Sequence, residues 1–358
     1  MPLALSIARA AHWFLESGIQ DPSGGVGRFY QSEIQQNKPV STEITGYTAS
    51  TLIYLFNITG DHAFLDRARQ TARFLLDHAW NPALQTFPFE YPSPSAVSNH
   101  RAYFFDCGII IRGLMAVWHQ TREDQILETA HAASRGMIAD FKAGPDYHPI
   151  LELPSKTPLP RTAHWSRSSG CYQLKSALAW YDVAEQTGDS ALRNAYLEML
   201  QTALSTYPSF LPATTPHQTM DRLHACSYFL EALIPVLHRP DCAAACADAL
   251  AAVARNLHQI APTFARSDVY AQLLRARINC AAIVPMDHEA AAREATALQQ
   301  FQATSDDPRI DGGYFFGRRD GILSPHVNPV STAFALQAIE MWRAYQTGIQ
   351  PPCRQFLI

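Results

Sequence analysis

Glu43 and Tyr47 stand four residues apart in Thr42-Glu-Ile-Thr-Gly-Tyr, and on a helix that spacing puts a carboxylate and a phenol on one face. A second carboxylate, Asp106, stands between Tyr103-Phe104-Phe105 and Cys107-Gly108-Ile109-Ile110-Ile111. An unpaired carboxylate in such surroundings costs on the order of several kcal/mol, so Asp106 needs a partner or a task. Apolar surroundings raise a carboxyl pKa and keep its proton near neutrality. Two carboxyls from different helices, one protonated and one ionised, are the equipment for general acid and base chemistry on a glycosidic bond. The expected roles are Asp106 as general acid and Glu43 as base or nucleophile.

Histidine offers a second chemistry. His164 and His224 lie beside Arg167 and Arg222, where a proton-transferring imidazole is useful. In this alternative His224 or Tyr47 removes a proton next to a substrate carboxylate that Arg101 or Arg167 neutralises, as a uronate epimerase or a polysaccharide lyase would require. A third alternative is a non-catalytic protein whose polar residues bind a glycan. Trp165, Tyr172 and Gln272, together with Tyr314, Arg318 and His326 of the stretch from Asp311 to Pro329, are the expected binding residues. Aromatic rings stack against the C–H faces of sugars, and an arginine fork suits a uronate or sulfate. Phe316 and Arg319 of the same stretch are equally well accounted for by turn packing.

These residues must be positioned by helices. Ile58-Thr-Gly-Asp and Gln186-Thr-Gly-Asp each end one helix and start another: the glycine adopts the left-handed conformation and the aspartate caps the next helix. Extending that punctuation predicts six buried helices near 43–58, 103–120, 170–187, 222–238, 266–283 and 329–347. Between them fall amphipathic helices near 3–18, 61–79, 122–142, 189–207, 241–259 and 288–303. Six inner and six outer helices make an all-α (α/α)6 toroid, predicted as a single domain over 1–358. An open solenoid is disfavoured because terminal capping repeats are not evident. The long connections (19–42, 80–102, 143–169, 208–221, 304–328) all precede inner helices, so the site is expected on that rim. Capping accounts for Thr42, Asp221 and Ser267. Short strands are expected near 84–91 and 310–317.

Composition narrows the partners. The 358 residues are 47% hydrophobic and 17% charged, enough for a large core, and 28 basic against 32 acidic residues leave a charge of −4. That balance has no footprint for nucleic acid. No stretch approaches the roughly 20 apolar residues of a membrane span, and Arg9, His12 and Glu16 make the N-terminal stretch an amphipathic helix rather than a signal peptide. Seven cysteines, an odd number, read as buried thiols of a reducing compartment, so a cytoplasmic protein is expected. Cys242 and Cys246 share a helix face without a second ligand pair at zinc spacing, so no metal is expected. No cofactor is expected either, since the sequence has no glycine-rich phosphate loop, HExxH or GxSxG motif. The oligomeric state is left open.

Over nearly its whole length the chain resembles bacterial proteins of the six-hairpin glycosidase-like superfamily. The resemblance runs through Thr42-Glu-Ile-Thr-Gly-Tyr, Phe104-Phe-Asp-Cys-Gly with Gly113, Thr187-Gly-Asp, and Gly312-Gly followed by Asn328 and Ala333-Phe-Ala. It implies a glycan substrate and leaves the reaction open. Similarity to unsaturated uronyl hydrolases lies in the architecture and in Asp106 following aromatics, although Cys107 interrupts their paired acidic signature. Similarity to N-acylglucosamine epimerases is architectural, with His164, His224 and His326 as loose counterparts of their inward histidines.

Overall fold

The computed structural model describes residues 3–91, 101–162, 164–211, 213–349 and 357–358. Among them are twelve α-helices: α1 (Leu3–Glu16), α2 (Thr42–Thr59), α3 (His62–Phe74), α4 (Phe104–Thr121), α5 (Asp124–Phe141), α6 (Gln173–Thr187), α7 (Ser190–Thr206), α8 (Pro216–Ala232), α9 (Pro240–Ile260), α10 (Ser267–Asn279), α11 (His288–Gln299) and α12 (Pro329–Gln346). The even-numbered helices are buried on most faces and the odd-numbered ones bury a single stripe, the alternation that periodicity predicts. None of the described helices is long and apolar enough to cross a membrane. The chain gathers into two compact units: unit I comprises Gln20–Arg28 and Lys38–Ser205, and unit II comprises Met1–Ile19, Phe29–Asn37 and Thr206–Ile358.

Unit I is built from three helical hairpins, α2–α3, α4–α5 and α6–α7. Gly60 (φ 72°) ends α2, and the Asp61 carboxylate accepts the Ala63 N–H at 2.9 Å. Gly188 (φ 73°) and Asp189, which accepts the Ala191 N–H at 3.0 Å, repeat the device between α6 and α7. The buried helices α2 and α4 meet backbone to backbone: a Cβ on Gly113 would lie 2.3 Å from the Gly46 carbonyl oxygen, and one on Gly46 would lie 2.8 Å from the Ile110 Cα. That contact lies three residues beyond Glu43 on α2 and, at Ile110, four residues beyond Asp106 on α4.

The chain before each of these helices is also tied down. Arg101–Tyr103, which runs into α4, pairs antiparallel with Ile150–Glu152, and Ile150–Glu152 pairs with Thr157–Pro158. The Phe89 N–H donates to the Arg101 carbonyl at 2.8 Å, and the Phe89 carbonyl accepts the Thr42 N–H at 3.3 Å. Residues 86–91 therefore stitch the starts of α2 and α4 together. Within 84–91 the pairing among the described residues is the isolated bridges Asn81↔Thr86 and Ser41↔Glu90, and within 310–317 it is the bridges Gln302↔Tyr314 and Phe315↔Val327 and the first residue of the strand Gly317–Arg319. Ser41 caps α2, accepting the Ile44 N–H, while the Thr42 hydroxyl donates to the Pro88 carbonyl at 2.6 Å. The cap reading of Thr42 is corrected by this stitching, which draws its hydroxyl away from the helix.

In unit II, α12 packs on α1 and α10, α10 on α8, α9 and α11, and α9 on α8. Two antiparallel sheets complete it, one of Tyr30–Gln31, Gln36–Asn37 and His326–Val327, the other of Phe264–Arg266, Gly317–Arg319 and Ile322–Leu323. Helix α8 begins at Pro216 rather than near 222, because Thr215 accepts the Gln218 N–H and Pro216 fills the first helical position. Asp221 therefore lies inside the helix instead of capping it. Ser267 is not a cap either: its hydroxyl donates to the Phe315 carbonyl at 2.7 Å. Deeper in this unit the fully buried Arg275 donates to Gln337 at 2.9 Å, ion-pairs with the buried Glu231, lies 4.0 Å from the Phe334 ring centroid and donates to the Ile358 carbonyl at 3.3 Å. The six described cysteines are all buried free thiols, and Cys353 lies outside the described residues.

Candidate functional site

Unit I holds a buried pair of carboxyls without full compensation. Asp106 is 6% exposed, and its Oδ2 has no hydrogen-bond partner among the described residues. Burial pushes its pKa well above the ordinary carboxylate range, the charge of Glu43 pushes it further, and Arg28 pulls the other way. Glu43 is partly exposed but deep enough that burial raises its pKa to about 7, again opposed by Arg28. Two carboxyls that each disfavour the other's ionisation hold protons that single exposed acids would have lost.

Aromatic rings surround this pair. Tyr172 is 1% exposed, donates its hydroxyl to the Ser168 carbonyl at 2.8 Å, and has its pKa raised by burial first and then by Cys171 and Asp106. Its ring lies 6.0 Å from Phe105, and Trp165 meets it edge-on at 5.1 Å. Tyr47 is buried one turn beyond Glu43 on α2. Arg101, half-buried on the strand entering α4, makes no ion pair among the described residues. His164 and Arg167 are exposed around the short 3-10 turn Trp165–Arg167, and His164 Nδ1 lies 2.9 Å from the Ser166 hydroxyl.

Arg28 was missed by sequence reasoning. It ion-pairs with Glu90, and its guanidinium lies 4.6 Å from the Phe89 ring centroid, while Tyr103 packs on the same ring at 4.8 Å. A signal existed in the sequence: Gly24-Gly-Val-Gly-Arg28 echoes Gly312-Gly-Tyr-Phe-Phe-Gly-Arg318. The fully buried Lys175 of α6 was missed as well, with nothing in its local sequence to mark it.

Unit II places its candidates around a histidine. His224, 7% exposed on α8, has Nδ1 2.8 Å from the Gln272 amide oxygen and 3.6 Å from Asp268, and its ring meets Tyr228 at 4.5 Å. An amide oxygen only accepts, so the proton sits on Nδ1 and the basic lone pair on Nε2. Burial, reinforced by Arg266, lowers the His224 pKa to about 4 against the opposing pull of Asp268, leaving a neutral imidazole at pH 7. Arg266 is saturated by Asp268, at 3.0 and 2.6 Å, and by Asp221 at 2.9 Å.

The remaining candidates lie near the sheets of this unit. Tyr314 is buried with its hydroxyl 2.9 Å from that of Ser6, and Arg318 donates to Gln300 at 3.3 Å and lies over Phe301. The His326 ring is 4.5 Å from Phe29. A cavity of about 650 Å³ is lined by Asp221, Phe316, Arg318, Arg319 and His326 among others. Among the described residues no group of three or more His, Cys, Asp or Glu side chains is placed to hold a metal ion.

No family model matches the sequence, and none of the curated proteins does. Solved structures match in fold. A sugar epimerase from a ruminal bacterium is 10% identical with a TM-score of 0.72, over 94% of this chain and 97% of that one. Cellobiose 2-epimerase from Spirochaeta thermophila is 14% identical with a TM-score of 0.72, over 96% of both chains. Unsaturated glucuronyl hydrolase from Bacillus sp. GL1 is 13% identical with a TM-score of 0.65, over 98% of both. Likeness at this identity establishes the fold alone, an all-α (α/α)6 toroid.

Proposed function

We propose that the protein is a carbohydrate-active enzyme that hydrolyses a glycosidic bond, with Asp106 as general acid and Glu43 as base or nucleophile. The observation that carries this reading is the buried carboxyl pair of α2 and α4, in which Asp106 keeps its proton and leaves one oxygen without a hydrogen bond. Natural folds satisfy buried polar groups unless a ligand or a reaction uses them. Asp106 gives its proton to the departing sugar oxygen, and Glu43, in the ionised form that Arg28 favours, meets the positive charge that develops on the ring or activates a water against it. Trp165 offers a partly exposed ring near the pair for sugar stacking. Arg101 and Arg167 suit a uronate in the chain being cut. The fold supports a sugar substrate by analogy, because its similar structures are described as acting on sugars. The chemistry needs no cofactor, and buried free thiols fit the cytoplasm.

A second reading, epimerisation or elimination, is favoured by His224, whose neutral imidazole carries its lone pair on Nε2. One experiment separates the two. The protein is incubated in deuterated water with a panel of neutral and uronate-containing oligosaccharides and polysaccharides. New reducing ends without ultraviolet absorbance are expected. Deuterium incorporated next to a carbonyl or carboxylate without cleavage, or a new absorbance near the ultraviolet edge, would replace hydrolysis by the second reading.

A further inference from the structure

The carboxyl chemistry proposed above uses none of the buried free thiols, and in unit II two of their sulfurs meet. Cys246 stands on the buried stripe of α9 and Cys280 ends α10. Both are fully buried, and their Sγ atoms lie 2.7 Å apart. Cys107, by contrast, has its sulfur 3.6 Å from the Thr86 hydroxyl.

Both sulfurs hang on backbone that is held in place. Cys246 lies well inside α9, its buried neighbours Ala245 and Ala249 are small, and α9 packs on α10. The Cys280 N–H donates to the Ala276 carbonyl at 2.9 Å, and the Cys280 carbonyl accepts the N–H groups of Ile283 and Val284 at 2.9 and 2.8 Å. A disulfide needs its sulfurs about 2.0 Å apart, so a shift of less than about 1 Å joins the two. Paired thiols also serve metals, which need further ligands. Although Cys242 stands one turn before Cys246 on α9, no group of three or more His, Cys, Asp or Glu among the described residues is placed to hold an ion.

We propose that Cys246 and Cys280 form a redox modification site, which a hydroperoxide oxidises to a disulfide that staples α9 to the end of α10. One sulfur attacks the peroxide: an S–O bond forms, the O–O bond breaks, and a sulfenic acid is left together with an alcohol, or with water when the oxidant is hydrogen peroxide. The other sulfur then attacks the sulfenic sulfur, so that the S–S bond forms, the S–O bond breaks and water leaves. The two sulfurs give up two electrons to the peroxide, and the two thiol protons end on its oxygens.

The hydrogen bond with Cys246, and then burial, hold the Cys280 thiol above its ordinary range. The reduced pair therefore carries little thiolate and reacts slowly. The loop closed by the bond, 246–280, takes in the strand Phe264–Arg266 and all of α10, on which α8, α9, α11 and α12 pack. Closing a loop of that length restricts the unfolded chain, so the oxidised protein is harder to unfold. Neither thiol belongs to the carboxyl pair of unit I, and the inference holds whatever reaction that pair performs.

The test incubates the reduced full chain overnight with excess hydrogen peroxide in native buffer, blocks the remaining thiols with an alkylating agent, and maps the unreduced peptides by mass. The peptides carrying Cys246 and Cys280 should be joined and two hydrogens lighter than their sum. The melting midpoint should rise by about 3 to 6 °C and return with dithiothreitol. Cys246→Ala and Cys280→Ala should each abolish both effects. Recovery of the two residues as alkylated thiols, as sulfinic or sulfonic acids, or joined to other cysteines would overturn the proposal. So would a link that forms only in urea, or one that leaves the midpoint unchanged or lower. If the variants do not fold, the peptide map and melting of the parent protein decide alone.

Discussion

Both units bury compensated charge, and unit I adds charge of a second kind. In unit II the deep arginines come with their counter-ions: Arg266 faces Asp268 and Asp221, and Arg275 faces Glu231. Unit I has such a pair too, Arg112 with Asp182 at 3.1 Å, but its acids Glu43 and Asp106 act on each other, with the half-exposed Arg28 already engaged by Glu90. Compensated charge of the first kind holds a fold in register and releases its cost only when one partner is removed. Charge of the second kind keeps a mobile proton available, which structural ion pairs do not. The contrast teaches that a buried acid points to chemistry when its neighbour is another acid, not simply because it is buried.

The comparison can be broken most sharply by removing one member from each centre. Asp106→Asn should lower turnover of a cleaved glycan by about 10² to 10⁴-fold while its melting temperature stays level or rises at alkaline pH, because Asn keeps the size and loses the charge that burial penalises. A large fall in melting temperature would place Asp106 with the structural charges of unit II. Arg275→Met should do the reverse, costing about 3 to 5 kcal/mol in urea unfolding because Glu231 is stranded in the core. Unchanged stability would mean that Glu231 simply takes up a proton.

A smaller effect separates the units by its sign. The folded Glu43 carboxyl titrates near 7, above its ordinary 4.5, so the stability it contributes is complete below about pH 4.5 and is lost as the pH rises through 7; Asp106 acts in the same sense. The folded His224 titrates near 4, below its ordinary 6.5, so its contribution is present above 6.5 and is lost as the pH falls through 4. Each is worth on the order of 3 kcal/mol. Urea midpoints measured from pH 4 to 8 should fall less with rising pH in Glu43→Gln and fall less with falling pH in His224→Gln. Both variants changing the slope in the same sense would erase the distinction between the two groups.

The features readable in advance are local ones. Gly60-Asp61 and Gly188-Asp189 announce their hairpins because cap and turn lie within four residues, and the alternation of buried and amphipathic helices follows from periodicity alone. The position of Asp106 among Phe104, Phe105 and Ile109 announces a raised pKa. Arg28 did not announce itself, because Phe89 and Glu90 reach it from far along the chain. Asp221 was misread for the same reason, its partner Arg266 lying on a strand of another hairpin. Thr42 and Ser41 differ by one position, and only the passing segment at Pro88 decides which of two adjacent hydroxyls caps the helix.

The contact between Gly46 and Gly113 has a mechanical consequence. Where two helices touch through backbone atoms, no layer of side chains remains to be squeezed, and packed interiors already have low compressibility. Hydrostatic pressure acts first on voids, and at Gly46 and Gly113 the two helices that carry Glu43 and Asp106 leave no room even for a Cβ. The gap between the acids is thus set by a hard stop rather than by a spring, and it should change little over pressures that compress the looser parts of the same molecule.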